Sequence, residues 1–275
     1  IYMGQKLDNV KQDVFEFRRR MAIEMAAFTR MYHFGKHFKR GVTTVGIEVE
    51  VPTITNEGDP LLISPRIIER AKYADAKWIT PEFASYVIEI NTNPVEINGS
   101  NFLGEFRKEL ENRITTLVAL LKSEDEHARI VFHSVWPLLS TTHAKPQVLY
   151  PNQRYEILAK NIEEMEFRGK FRKWKTAEGE GLTVNPLTIY YVAMATGINL
   201  HIGMEKEKWV DAYNAAFLAM PIVMALSANS PFWLGRRLVD ESRVLLFEAC
   251  TDGRSEYEKT MGMRLHRASY PGGFI

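Results

Sequence analysis

A chain of 275 residues that is 45% hydrophobic and 25% charged has enough apolar material for a substantial core, which excludes a disordered or fibrous protein. Thirty-five Lys and Arg against 34 Asp and Glu leave a formal net charge of +1, so any electrostatics that matter are local. The one cysteine, Cys250, excludes an intramolecular disulfide framework and reads, in the run VLLFEAC, as a small buried hydrophobe.

In chain order, Val10, Val14, Phe17, Met21, Met25 and Phe28 recur at helical spacing and predict an amphipathic helix over residues 9–32, whose expected use is packing. No apolar run approaches the roughly 18 residues of a bilayer span, and the opening IYMGQKLDNVKQDVFEF lacks a signal-peptide core. A cytoplasmic protein with no membrane association is therefore expected. The stretch VTTVGIEVEVP at 42–52 predicts a strand with Val45, Ile47, Val49 and Val51 on one face and Gly46, Glu48 and Glu50 on the other. Two adjacent carboxylates on one strand face repel unless they are well solvated or share a cation.

NEGDP at 56–60 is a turn, Pro65 to Ala74 reads as a helix, and FASYVIEINTNP at 83–94 as a second strand that sets Glu89 and Asn91 on one face. INGSNF supplies a turn and an N-cap for a helix carrying Phe102, Phe106, Leu110, Leu117 and Leu121. IVFHSVWPLLSTTHA reads as a buried strand running into a polar turn at Thr141, Thr142 and His143, and PNQRYEILAKNIEEMEF as a helix. RGKFRKWKTAEGEGL is the most basic, most loop-like segment. TGINLHIGM at 196–204 is a third patterned strand, with Ile198, Leu200 and Ile202 opposite Asn199 and His201. The helix after it holds Trp209, Tyr213, Phe217 and Met220 in a stripe, meets Pro221 and ends near ALSANSPFW.

Three segments far apart in sequence thus pair an apolar face with oxygen or imidazole ligands: Glu48 with Glu50, Glu89 with Asn91, and Asn199 with His201. As neighbours in one antiparallel sheet covered by helices on its apolar side, they would line a carboxylate-rich trough. Hard oxygen donors with one His and no thiolate suit Mg²⁺ or Mn²⁺ rather than structural zinc. The same pattern also describes an antiparallel sheet with one solvated, functionless face.

GIEVE at 46–50, PEFASYVIEINTNP at 81–94, STTHAKP at 140–146 followed by Arg154 and Tyr155, GINLHIGM at 197–204, and ALSANSPFWLGR with ESR ending at 243 resemble, in order, the landmarks of the glutamate–cysteine ligase type 2 family of carboxylate–amine ligases. The resemblance implies a glutamine-synthetase-like α+β fold, related to the guanidino kinases, with a curved antiparallel sheet and helices on one face. Residues 42–275 would form an ATP-grasping catalytic domain and 1–41 an N-terminal helical extension. It also implies ATP and Mg²⁺ (or Mn²⁺) as cofactors, phosphoryl transfer to a carboxylic acid such as glutamate, and displacement of phosphate by an amine or amino acid.

Carried residue by residue, the resemblance makes Glu48, Glu50, Glu89 and His201 the metal ligands. Asn91, Asn199, Asn229 and Ser230 fall on the nucleotide side, and Arg154, Arg243 and His143 are catalytic candidates near substrate carboxylate or phosphate. Asn199 stands where the family usually has a histidine; it can donate an oxygen but cannot shuttle a proton. His143 could equally cap its turn, and Arg243 could pair with Glu241. Beyond Arg243 the family continues into a strand bearing a Glu and an Arg that has no clear match here: either Glu248 or Arg264 substitutes, or the catalytic domain lacks its C-terminal part. The N-terminal helix, an addition to the family pattern, leaves a homodimer open.

Three rival readings remain. A guanidino kinase would leave the phosphoryl group on nitrogen, and a degenerate homologue would bind without turnover. A nucleic-acid-binding module would use the basic-aromatic run FRGKFRKWK, a partner that the balanced charge of the chain disfavours.

Overall fold

A computed structural model describes residues 14–34, 41–97, 101–166, 172–175, 181–184, 189–251 and 256–262. The elements are α1 (Val14–Phe34), β1 (Thr44–Ile54), α2 (Ser64–Tyr73), β2 (Ile79–Pro81), β3 (Val87–Asn91), β4 (Val95–Glu96), α3 (Phe102–Glu124), β5 (Arg129–Ile130) and α4 (Gln153–Glu166). They continue with β6 (Arg172–Lys175), β7 (Gly181–Val184), α5 (Ile189–Val192), β8 (Ile198–Gly203), α6 (Trp209–Ser227), β9 (Phe232–Trp233), β10 (Arg236–Arg237), α7 (Ser242–Thr251) and α8 (Glu256–Thr260). The fold is α+β around an open antiparallel sheet.

Its centre is β1, whose β-branched run keeps an extended backbone over 11 residues. One side of β1 pairs with β3, setting Glu48 beside Asn91 and Glu50 beside Glu89, while β2 continues outward from β3. The other side pairs with β8, setting Glu48 beside Asn199 and Gly46 beside His201. Pro52 is tolerated mid-strand because its missing N–H faces the interval between β8, which ends its pairing at Val49, and β5, which begins at Thr53.

Strand alternation sends Val49, Val51, Ile88 and Ile90 to one face, where they are fully buried against Ile63, Ile67 and Ala71 and against Leu117 and Leu121 of α3. A second core gathers Tyr86, Val135, Leu139, Met194, Trp233, Leu246 and Cys250, so the lone cysteine is buried as its apolar context suggests.

Four expectations change. The run from Ile130 to Ala144 is strand only at Arg129–Ile130. Beyond it, Pro137 interrupts the backbone and side-chain bonds anchor a loop, Trp136 Nε1 to Gly58 O and Ser134 to Asn229. The basic segment is not all loop, since Arg172–Lys175 pairs with Gly181–Val184. Met21, Met25 and Phe28 of α1 lie exposed rather than packed; residues 9–13 of that predicted helix lie outside the described residues. Finally, the helix spanning Lys206–Ser227 contains an 18-residue stretch of mean hydropathy 1.4, 6% of it buried, which by length and composition alone is apolar enough to cross a bilayer.

Candidate metal and nucleotide site

The polar face of the sheet is a two-row trough. In the inner row, Glu50 of β1 stands beside Glu89 of β3, and the turn between β2 and β3 folds Glu82 over both. A carboxylate oxygen from each of the three lies within 4.8 Å of the others. An Mg²⁺–O distance of about 2.0–2.1 Å sets ligand oxygens about 3–4 Å apart, so three hard donors within 4.8 Å of one another need draw in only slightly to hold a divalent cation.

Burial pushes the Glu82 carboxyl up to about 8, with the Glu50 charge adding to it and the Phe83 N–H opposing it. Burial likewise raises Glu50 to about 7; the Gly197 N–H bond resists, Glu89 adds to the rise, and Asn199 and Arg243 lower it. Three carboxylates so placed cannot all hold their charge without a cation or a proton.

Glu89 is oriented from behind. Its Oε1 accepts hydrogen bonds from Thr80 Oγ1 at 2.7 Å and Asn91 Nδ2 at 2.8 Å, and Asn91 also donates to Thr80. Asn91 therefore sets the angle of a ligand. Tyr155 of α4 closes this end, its hydroxyl donating to Pro81 O at 3.4 Å, and burial raises its phenol to about 12.

The outer row is different. Glu48 Oε2 is 3.0 Å from His201 Nε2, and Asn199 Nδ2 spans the rows, 3.3 Å from Glu50 and 3.5 Å from Glu48. The four metal-ligand candidates therefore divide: Glu50 and Glu89 join Glu82 in the inner cluster, and Glu48 joins His201.

Arg243 reaches the inner end from α7. Its Nη1 donates to Thr196 O at 2.9 Å and its Nε to the buried Glu241 at 2.9 Å. Gly197 permits this approach, since a Cβ there would stand 2.6 Å from Arg243 Nη1. The predicted pairing with Glu241 and a position beside the trough are thus both present.

The remaining candidates lie on other segments. His143 Nδ1 accepts from Ser140 N at 3.0 Å and caps its own turn. Arg154 is exposed on the first turn of α4. Asn229 Oδ1 accepts from Ser134 Oγ at 2.5 Å, and Ser230 Oγ from Arg243 N at 3.2 Å, so both tie loops together around α7.

Glu82 escapes a reading by strand alternation, because it lies in the turn between β2, which ends at Pro81, and β3, which begins at Val87. The signal available was an acid between Pro81 and Phe83 in a stretch otherwise poor in charge.

Residues 44–261 match the model of glutamate-cysteine ligase family 2 (GCS2). Two curated relatives carry the name "Putative glutamate–cysteine ligase 2". The one from Bdellovibrio bacteriovorus is 27% identical over 77% of this chain and 47% of its own length, and the one from Solibacter usitatus 24% identical over 70% of this chain and 42% of its own. The chain spans less than half the length of these relatives.

Proposed function

The chain belongs to glutamate-cysteine ligase family 2, and from that premise we propose that it is an ATP- and Mg²⁺-dependent carboxylate–amine ligase making a γ-glutamyl-type amide. In this reading the γ-phosphoryl of ATP passes to the carboxylate of glutamate or a similar acid, giving an acyl phosphate and ADP. The amine nitrogen then attacks the acyl carbon, its bond to phosphate oxygen breaks, and amide and phosphate leave.

The observation that carries the reading is the convergence of Glu50, Glu82 and Glu89 in a half-buried cluster. Those residues would hold Mg²⁺ or Mn²⁺, which when bound supplies positive charge to phosphate oxygens. Thr80 and Asn91 keep Glu89 at its angle, and Asn199 couples the inner carboxylates to Glu48. Arg243, whose guanidinium is fixed to the Thr196 carbonyl and to Glu241 and whose charge lowers the Glu50 pKa, would orient an anionic group of the substrate. The cytoplasm, where ATP is supplied, is the setting we propose.

Phosphate release from Mg·ATP tests this, with a panel of acids crossed against a panel of amines that includes cysteine. Release that needs both an acid and an amine is the expected result. ADP formation with an amine alone, leaving a stable phosphorylated nitrogen, would overturn the ligase in favour of a kinase.

A further inference from the structure

The last residue of β3 carries the side chain that aims Glu89. Asn91 Nδ2 donates to Glu89 Oε1 at 2.8 Å and to Thr80 Oγ1 at 2.7 Å. The sheet ladder gives out at the same place. Asn91 N makes its closing bond to Trp78 O at 2.9 Å, one residue outside β2, and on the β1 side Ile47 N donates to the Thr92 hydroxyl at 2.9 Å. A strand end with few ladder bonds frays unless something else holds it, and a side chain carried on it then loses its aim.

Two side chains of α3 do the holding. Arg113 Nη1 donates to the Asn91 carbonyl and Arg113 Nη2 to Glu109, while Glu109 accepts from Asn93 N at 3.0 Å. The pair grips the main chain on both sides of Thr92. The guanidinium also lies over the Trp78 ring, 5.0 Å from its centroid, so it braces the residue whose carbonyl receives Asn91 N. The Arg113 and Glu109 side chains are 11% and 22% exposed. An ion pair this covered costs desolvation, and apolar residues of similar volume would serve packing as well. What an apolar pair cannot do is hold a carbonyl and an N–H at fixed angles.

Resting on the cation-binding reading of the inner cluster, we propose that Arg113, held by Glu109, is a positioning residue for that cluster. Arg113 fixes the main chain at Asn91, Asn91 fixes Glu89, and Glu89 meets the cation with Glu50 and Glu82. Arg113 belongs to α3, the helix that covers the apolar face of the sheet, and it touches Asn91 O, Glu109 and the Trp78 ring. Its effect on the cation therefore passes through Asn91.

Mn²⁺ binding by calorimetry, at a temperature where every variant is folded, reads this without turnover. Arg113→Met keeps an apolar stem against Trp78 and removes the donors; Mn²⁺ affinity should fall about threefold to tenfold, at or below the low end for losing an orienting partner itself. In an Asn91→Ala background the same change should cost no further affinity, because the side chain it positions is gone. Arg113→Lys keeps the charge and the stem without the planar fork, so it should lose affinity too, and it serves as the readout where Arg113→Met does not fold. Arg70→Met breaks the pair between Arg70 of α2 and Glu124 of α3, a lost ion pair of merely structural kind, and should leave Mn²⁺ affinity unchanged. Wild-type affinity in the Arg113 variants overturns the proposal and leaves the cluster reading standing. An equal loss with and without the Asn91 side chain, or in Arg70→Met, does the same. A wild type with no tight Mn²⁺ overturns the cluster reading and this proposal together.

Discussion

Glu48 and Glu50 share one face of β1, and their surroundings have little in common. Glu50 lies under the turn between β2 and β3, against Glu82 and Glu89, where burial holds its carboxyl near 7. Glu48 lies beside the open strand β8 and meets His201 at 3.0 Å, with the His side chain 61% exposed. A Glu-x-Glu pair is one signal in the sequence but two environments in the fold. Cover sets the difference: a half-buried like-charged cluster must take up a proton or a cation, whereas the acid beside an exposed imidazole is under less pressure to do so.

The sharpest way to break this contrast is at Glu82. Glu82→Gln should lower Mg²⁺-dependent phosphate release by about 10²–10³ with the melting temperature preserved, on the scale of losing one preorganised charge-stabilising group. An equal loss from Glu48→Gln would erase the distinction between the two rows. Next in size is Thr80→Val, which removes a hydroxyl donor from Glu89; divalent affinity measured by calorimetry should fall about tenfold, as when other orienting partners of ligands are removed.

The pH dependence has a definite sign. Glu50 and Glu82 have native pKa values raised to about 7 and about 8 from 4.5, so the native state binds more protons than the unfolded chain. Metal-free stability should therefore fall as pH rises from about 5 to 8. Mg²⁺ at about 100 times its Kd should raise Tm at pH 8 by roughly 5–10 °C, and by less at pH 6 where protons compete. A Glu82→Gln protein with an unchanged pH slope would contradict the assignment. The smallest effect is expected at His201→Gln: an exposed pair is worth about 0–1 kcal/mol, so divalent affinity should stay within about threefold of wild type.

Much of this was legible in the sequence where local rules operate without help. The strands β1, β3 and β8 and their polar faces follow from period-two alternation, and α2 and α3 from turn signals and helical spacing. Glu82 was not legible, because it reaches the cluster from a turn and its neighbours there are set by tertiary packing. The approach of Arg243 across Gly197 is likewise a contact between distant segments that no periodicity encodes. The exposure of α1 and α6 also defeats pattern reading, since an apolar helical stripe predicts a need for cover and says nothing of what provides it.

The most direct test of the inner cluster is Mn²⁺ titration followed by electron paramagnetic resonance on wild type, Glu82→Gln and His201→Gln. One tight Mn²⁺ in wild type, lost in Glu82→Gln and retained in His201→Gln, is the predicted result. The absence of a tight site in wild type, or a site indifferent to Glu82, would contradict the account.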